Sequence, residues 1–159
     1  MDNRSLARVL HEMADAHEIK GENAFRVRSY RMSAESVETW GGDVAEMVRR
    51  GESLRAIPGV GEGIAAKLRE LVEKGVSAEH EELLTEVPRS LLDLLKVPGL
   101  GPRGVGLLWR ELGVRSAEDL EAAIADGRFR TLPGMKEKKE ARIRQGLEAR
   151  RASKGSTRS

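Results

Sequence analysis

The stretch Ile57-Pro58-Gly59-Val60-Gly61 opens IPGVGEGIAAKL (57–68) and recurs as Val97-Pro98-Gly99-Leu100-Gly101, opening VPGLGPRGVGLL (97–108). A degenerate copy, Leu132-Pro133-Gly134-Met135-Lys136, opens LPGMKEKKEARI (132–143). Ten residues after each proline stands a large aliphatic residue: Leu68, Leu108 and Ile143. A repeated turn with a matching anchor predicts one supersecondary unit used three times. Proline fixes one backbone angle and ends the preceding helix. The first glycine permits a positive φ, and the second lets another backbone come close. The turn then aims free N–H groups at the start of a helix, where the dipole favours an anion. Such a hairpin suits a phosphate and carries no base-reading chemistry. The candidate contact set is therefore Gly59, Val60, Gly61 and Gly63 in the first copy and Gly99, Leu100, Gly101 and Arg103 in the second. The third copy has Lys136 in place of the second glycine and is expected to pack rather than grip.

Outward from these turns, every segment reads as helix. In NRSLARVLHEMADA, residues Leu6, Val9, Leu10, Met13 and Ala14 recur at helical spacing, with Asn3 as the expected cap and Lys20-Gly21 as the end. Asn23 is placed to cap a second helix with Phe25, Tyr30, Ala34 and Val37 on its apolar side, stopped by Gly41-Gly42. Asp43 caps a third, ended by Gly51. Further helices are expected around 62–74, 77–86, 89–95, 102–112, 116–126 and 136–151. No clean two-residue alternation flanked by hairpin turns occurs. The expected fold is all-α, with two small helical lobes: residues 1–76 with the first hairpin, and 77–151 with the second and third. A disordered basic tail is expected over 152–159.

Composition bounds the chemistry. The 159 residues hold no cysteine, which removes disulfides, thiol nucleophiles and thiolate metal sites. Leu, Ile, Val and Phe number 37, enough for a thin core. No apolar run approaches the roughly 18 residues of a membrane span. The charged start is not a secretory signal, and the reading is a cytoplasmic protein, nucleoid-associated if bacterial. The net charge of +2 conceals an asymmetry: residues 127–159 hold 11 Lys and Arg against 3 Glu. A basic carboxyl-terminal segment suits a polyanion. His11, His17 and His80 lack metal spacing, and Trp40 and Trp109 read as core anchors rather than stacking platforms.

The order GENAFRVRSYRMSAESV, IPGVGEGIAAKL, VPGLGPRGVGLLWRELG, LPGMKEKKEARI resembles the amino-terminal region of the DNA polymerase X family, which includes DNA polymerase beta and the bacterial X-type polymerases. The resemblance covers roughly residues 3–148. It implies a lyase-type helical domain followed by a fingers domain, each holding the backbone of gapped DNA by one hairpin. It implies that Arg26 and Tyr30 line a 5′-phosphate pocket, and that Lys67 stands where the family's lyase domain carries its Schiff-base lysine. It also implies a monovalent cation, Na⁺ or K⁺, at each good hairpin. Backbone carbonyls of Arg55, Ile57 and Val60, and of Leu95, Val97 and Leu100, would hold it. The family's palm, with three carboxylates and two magnesium ions, has no counterpart here, and no Asp-x-Asp pair occurs. The chain alone is expected to be polymerase-incompetent.

An amine nucleophile must be unprotonated. Gly63 stands where members with known lyase activity in animals tend to carry a second lysine, and Glu70 is expected to pair with Lys67 and keep it charged. Three function classes stay open. The first is a DNA-binding module for gapped, nicked or 5′-phosphorylated ends in repair, working as a monomer with a repair polymerase or ligase. The second is a 5′-deoxyribose phosphate lyase acting through Lys67. The third is a helical protein-interaction module.

Overall fold

A computed structural model describes the backbone of residues 1–156 and side chains through Ala152; no strand occurs among them. The helices are α1 (Asn3–Ile19), α2 (Ala24–Thr39), α3 (Val44–Arg49), α4 (Glu62–Lys74), α5 (Ala78–Glu86), α6 (Arg89–Asp93), α7 (Pro102–Leu112), α8 (Ala117–Ala125) and α9 (Glu137–Ser156). Short 3-10 turns at Leu54–Ala56, Leu94–Lys96 and Phe129–Thr131 each precede one proline-glycine turn. Contacts divide the chain into two compact units, residues 1–18 with 22–86, and residues 19–21 with 87 onward. The division after Glu86 falls ten residues beyond the 76/77 boundary expected from sequence. It leaves α5 with the first hairpin.

In the first unit, Leu6, Leu10 and Met13 of α1, Val27, Ala34 and Val37 of α2, and Leu68 and Leu71 of α4 are buried together with Leu54 and Ile57. Asp2, rather than Asn3, caps α1: the Ser5 N–H donates to Asp2 Oδ1 at 2.8 Å. Asn3 instead ties α1 to the start of α3. Its Nδ2 donates to the Gly42 carbonyl at 2.7 Å, and its Oδ1 accepts the Val44 N–H at 2.9 Å. Asn23 and Asp43 cap α2 and α3 as expected, accepting from the N–H groups of Phe25 and Glu46. Phe25 departs from its expected apolar face and is 71% exposed, since it falls on the first turn of α2, outside the stripe that Val27 and Tyr30 bury.

In the second unit, Leu94, Val97, Val105, Leu108, Leu120, Phe129 and Ile143 form the buried set. Helix α8 and the third 3-10 turn both lie against α9. Trp109, like Trp40 of the first unit, is only half-buried. Helix α9 continues to Ser156, past residue 151 where its end was expected, and residues 157–159 of the expected tail lie outside the described residues.

Candidate functional site

The three turns share one backbone. Gly59, Gly99 and Gly134 adopt φ of 81°, 95° and 77°, where an L side chain is strained. The N–H groups of Val60, Leu100 and Met135 close each turn onto the carbonyls of Ile57, Val97 and Leu132, at 3.1, 3.1 and 3.2 Å. The anchors Leu68, Leu108 and Ile143 are all fully buried, which sets each following helix at the same depth. The third turn thus keeps the backbone geometry of the other two despite Lys136. The reason is steric. Gly61 and Gly101 have φ of −90° and −111°, open to any residue, and a Cβ on either would meet no atom within 4 Å. The close approach that the second glycine permits is therefore not made within the chain; that side is open.

Neither α4 nor α7 has a side-chain cap, so their first N–H groups have no capping side chain. The charges beside them differ. Glu62 opens α4 and faces Arg55 at 3.9 Å, whereas Pro102 opens α7 and exposed Arg103 follows. The third helix opens with Glu137, Lys138 and Lys139. The carbonyls of Ile57 and Val97 each accept one turn-closing N–H and keep a second lone pair. Those of Arg55 and Leu95 stand three residues before Pro58 and Pro98, which have no N–H to offer a 3-10 bond. Such an all-oxygen donor set fits a hard cation. Among the described residues, no cluster of His, Asp and Glu could hold a metal.

The first unit also holds a cavity of about 350 Å³. Its lining includes Phe25, Arg26, Tyr30, Gly63, Lys67 and Glu79. Arg26, Tyr30, Gly63 and Lys67 thus line one cavity. Arg28 points to solvent, while Arg31 turns inward to Asp15 at 2.9 Å and Glu18 at 2.8 Å. Burial raises the Asp15 carboxyl above its ordinary range, against the pull of Arg31.

Glu79 organises the cavity. Its Oε2 accepts the Tyr30 hydroxyl at 2.6 Å and lies 3.4 Å from Lys67 Nζ. Its Oε1 lies 3.8 Å from Nε2 of buried His17. The His17 ring stacks on Tyr30, 5.6 Å between centroids and 7° from parallel, and its Nδ1 bonds Glu22. Burial, then the bond to Glu79, raises the Tyr30 hydroxyl well above its ordinary range, so it stays a neutral donor. Lys67 pairs with Glu79, not Glu70; the Glu70 carboxylate instead accepts the Ala78 N–H at 3.3 Å, capping α5. Glu79 escapes a sequence reading because it comes from a different helix, twelve residues after Lys67, in an acidic run where four glutamates look alike. His17 carries no local signal either, since its partners come from a loop and from α5.

No helix among the described residues is long and apolar enough to cross a membrane. Residues 1–77 match a helix-hairpin-helix domain family, and residues 91–149 match a SAM-like helix-hairpin-helix tandem. The chain is 34% identical over 147 residues to a DNA polymerase/3′-5′ exonuclease PolX of Bacillus subtilis, covering 92% of this chain and 25% of that protein. It is 32% identical over 115 residues to a DNA nucleotidylexotransferase of Ambystoma mexicanum, covering 68% of this chain and 22% of that one. The chain therefore spans about a quarter of the length of these curated relatives.

Proposed function

Because this chain belongs with the amino-terminal helix-hairpin-helix region of the DNA polymerase X family, we propose that it grips DNA through its backbone, without reading sequence, at gaps, nicks and 5′-phosphorylated ends met in repair. The observation that supports this reading is the repeated turn. Each of the first two presents the uncapped start of a helix beside a glycine with open space on its outer side. Uncapped amides and a favourable dipole suit a phosphate, and the open side lets a polymer's backbone come close. A hydrated Na⁺ or K⁺ would sit on the carbonyls of Arg55, Ile57 and Val60, and of Leu95, Val97 and Leu100, supplying positive charge between turn and phosphate. In that role the chain acts as a monomer, and a polymerase or ligase continues the repair.

Fluorescence anisotropy on a gapped duplex tests the reading. About three phosphate contacts give a log–log salt slope of roughly −2 to −3. Gly59→Val and Gly99→Val should each weaken binding to all sequences alike. Variants that fold normally and bind undiminished would leave the turns as packing devices, the protein-interaction reading.

A second reading is supported by the cavity. Lys67, half-buried, lines it with Arg26 and Tyr30 and would attack the aldehyde of an abasic sugar whose phosphate Arg26 would hold. The amine adds to the aldehyde carbon and water leaves as the imine forms. Loss of a proton from the adjacent carbon then expels the 3′-linked phosphate by β-elimination. Borohydride should reduce the imine to a stable adduct that Lys67→Ala abolishes; a gapped abasic substrate bound tightly without any trapped adduct would reject lyase activity.

A further inference from the structure

The three hairpin tips, alike in backbone, differ in what lies across them. At Gly59 a Cβ would meet exposed Met32 of α2, with Cγ at 3.2 Å and Sδ at 3.3 Å. At Gly134 it would meet nothing within 4 Å. At Gly99 it would meet the stem of Arg142, with Cδ at 3.4 Å and Cγ at 3.5 Å, and Ile143 Cγ1 at 3.3 Å. Helix α9 reaches this tip because Gly146 lets it lie against the turn: a Cβ on Gly146 would stand 2.7 Å from Pro98 Cδ and 3.2 Å from Val97 Cγ1. Arg142, one helical turn earlier, falls on the same face. Ile143 is fully buried and fixes the rotation of the helix there.

The charges of this region are mostly spoken for. Arg130 and Arg144 face Glu140, Arg128 faces Asp126, and Arg151 faces Glu121. Arg142 is exposed and has no ion pair among the described residues. Its aliphatic stem lies along the glycine tip while its guanidinium is free. A planar donor fork on an ordered stem suits a phosphate, because little side-chain freedom is lost on binding. Exposed Arg103, the second residue of the same hairpin's helix, adds a further cation to this hairpin.

We propose that Arg142 is a phosphate-binding residue of the second hairpin, supplied by the helix of the third repeat across the Gly99 tip, and that it holds a backbone phosphate of the strand which that hairpin grips. The inference rests on the DNA-binding reading above. It makes the third repeat a donor of charge to the second hairpin and sets the second apart from the first, whose tip is covered by methionine.

The test is anisotropy of a 5′-phosphorylated gapped duplex against the full chain over a range of salt concentrations. Arg142→Gln should weaken binding roughly three- to tenfold and reduce the magnitude of the salt slope by about 1. Arg142→Lys should keep the slope and lose part of the affinity. Arg128→Gln, which removes a charge already paired with Asp126, should change both by less. Melting temperatures equal to that of the parent chain exclude a folding effect at this exposed site. Arg142→Gln binding with unchanged affinity and slope, while Gly99→Val loses binding, overturns the role of Arg142 and leaves the hairpin reading intact. A parent chain that binds no DNA overturns both.

Discussion

At the scale of single residues, the Tyr30–Glu79–Lys67 contact decides what the cavity can do. A carboxylate 3.4 Å from an amine favours the ammonium form, so Glu79 works against Lys67 as a nucleophile. Glu79→Gln keeps an acceptor for the Tyr30 hydroxyl and removes the charge. If Lys67 is the nucleophile, this variant should trap more borohydride adduct at neutral pH than the parent chain; an unchanged trapping rate would mean that the pair does not limit attack. Tyr30 offers a cleaner reading, because it is the chain's one tyrosine and tyrosinate absorbance reports it alone. Its hydroxyl is raised in the folded state from the ordinary value of 10.0. An acid raised on folding contributes stability that is complete below its unfolded value and is lost as pH rises beyond it. The folded chain should therefore show no tyrosinate near pH 10, and its melting temperature should fall above that pH, whereas Tyr30→Phe should flatten this part of the curve.

At the scale of elements, the hairpins rest on supports that differ. In the first, the Ser33 hydroxyl lies 2.9 Å from the Gly59 carbonyl and pins the turn to α2. In the third, buried Glu140 accepts Arg130 Nε at 2.9 Å and Nη2 at 2.7 Å, holding the 3-10 turn to α9. Arg130→Met leaves buried Glu140 with only the Arg144 guanidinium at 3.7 Å and should lower the melting temperature. The double variant with Glu140→Met should recover most of the loss, and a double variant as unstable as the single would place the support elsewhere. Gly146→Leu should be worse than either, since its first carbon already meets Pro98 at 2.7 Å. The turns and helices were legible in the sequence because their signals are local: a proline, a glycine, a cap and an anchor within ten residues. Asn23 and Asp43 cap as their positions suggest. Asn3 misleads because Asp2, one residue earlier, is an equally good cap, and only the packing of α1 on the start of α3 gives Asn3 its other task. Glu79, His17 and Arg142 were illegible because each acts on a residue distant in the chain.

At the scale of the whole molecule, charge is divided unevenly. Residues 1–86 hold 12 Lys and Arg against 17 Asp and Glu, and residues 87–159 hold 16 against 9. The acidic first part must hold any phosphate by local amides against an unfavourable field, while the second has the field in its favour. Gly99→Val should therefore cost more DNA affinity at low salt than Gly59→Val, and the gap between the two should narrow as salt screens the field. Equal losses at every salt concentration would mean that the surrounding field contributes nothing.

The spare room at Gly61 and Gly101 has a practical side. Both positions have ordinary backbone angles and nothing within 4 Å of a side chain built there, and the chain has no cysteine of its own. A cysteine at either place would be the molecule's single thiol, sited at the mouth of one chosen hairpin. It could carry a fluorophore that reports occupancy of that hairpin alone, or form a disulfide with a thiol-bearing oligonucleotide and record which nucleotide had been there.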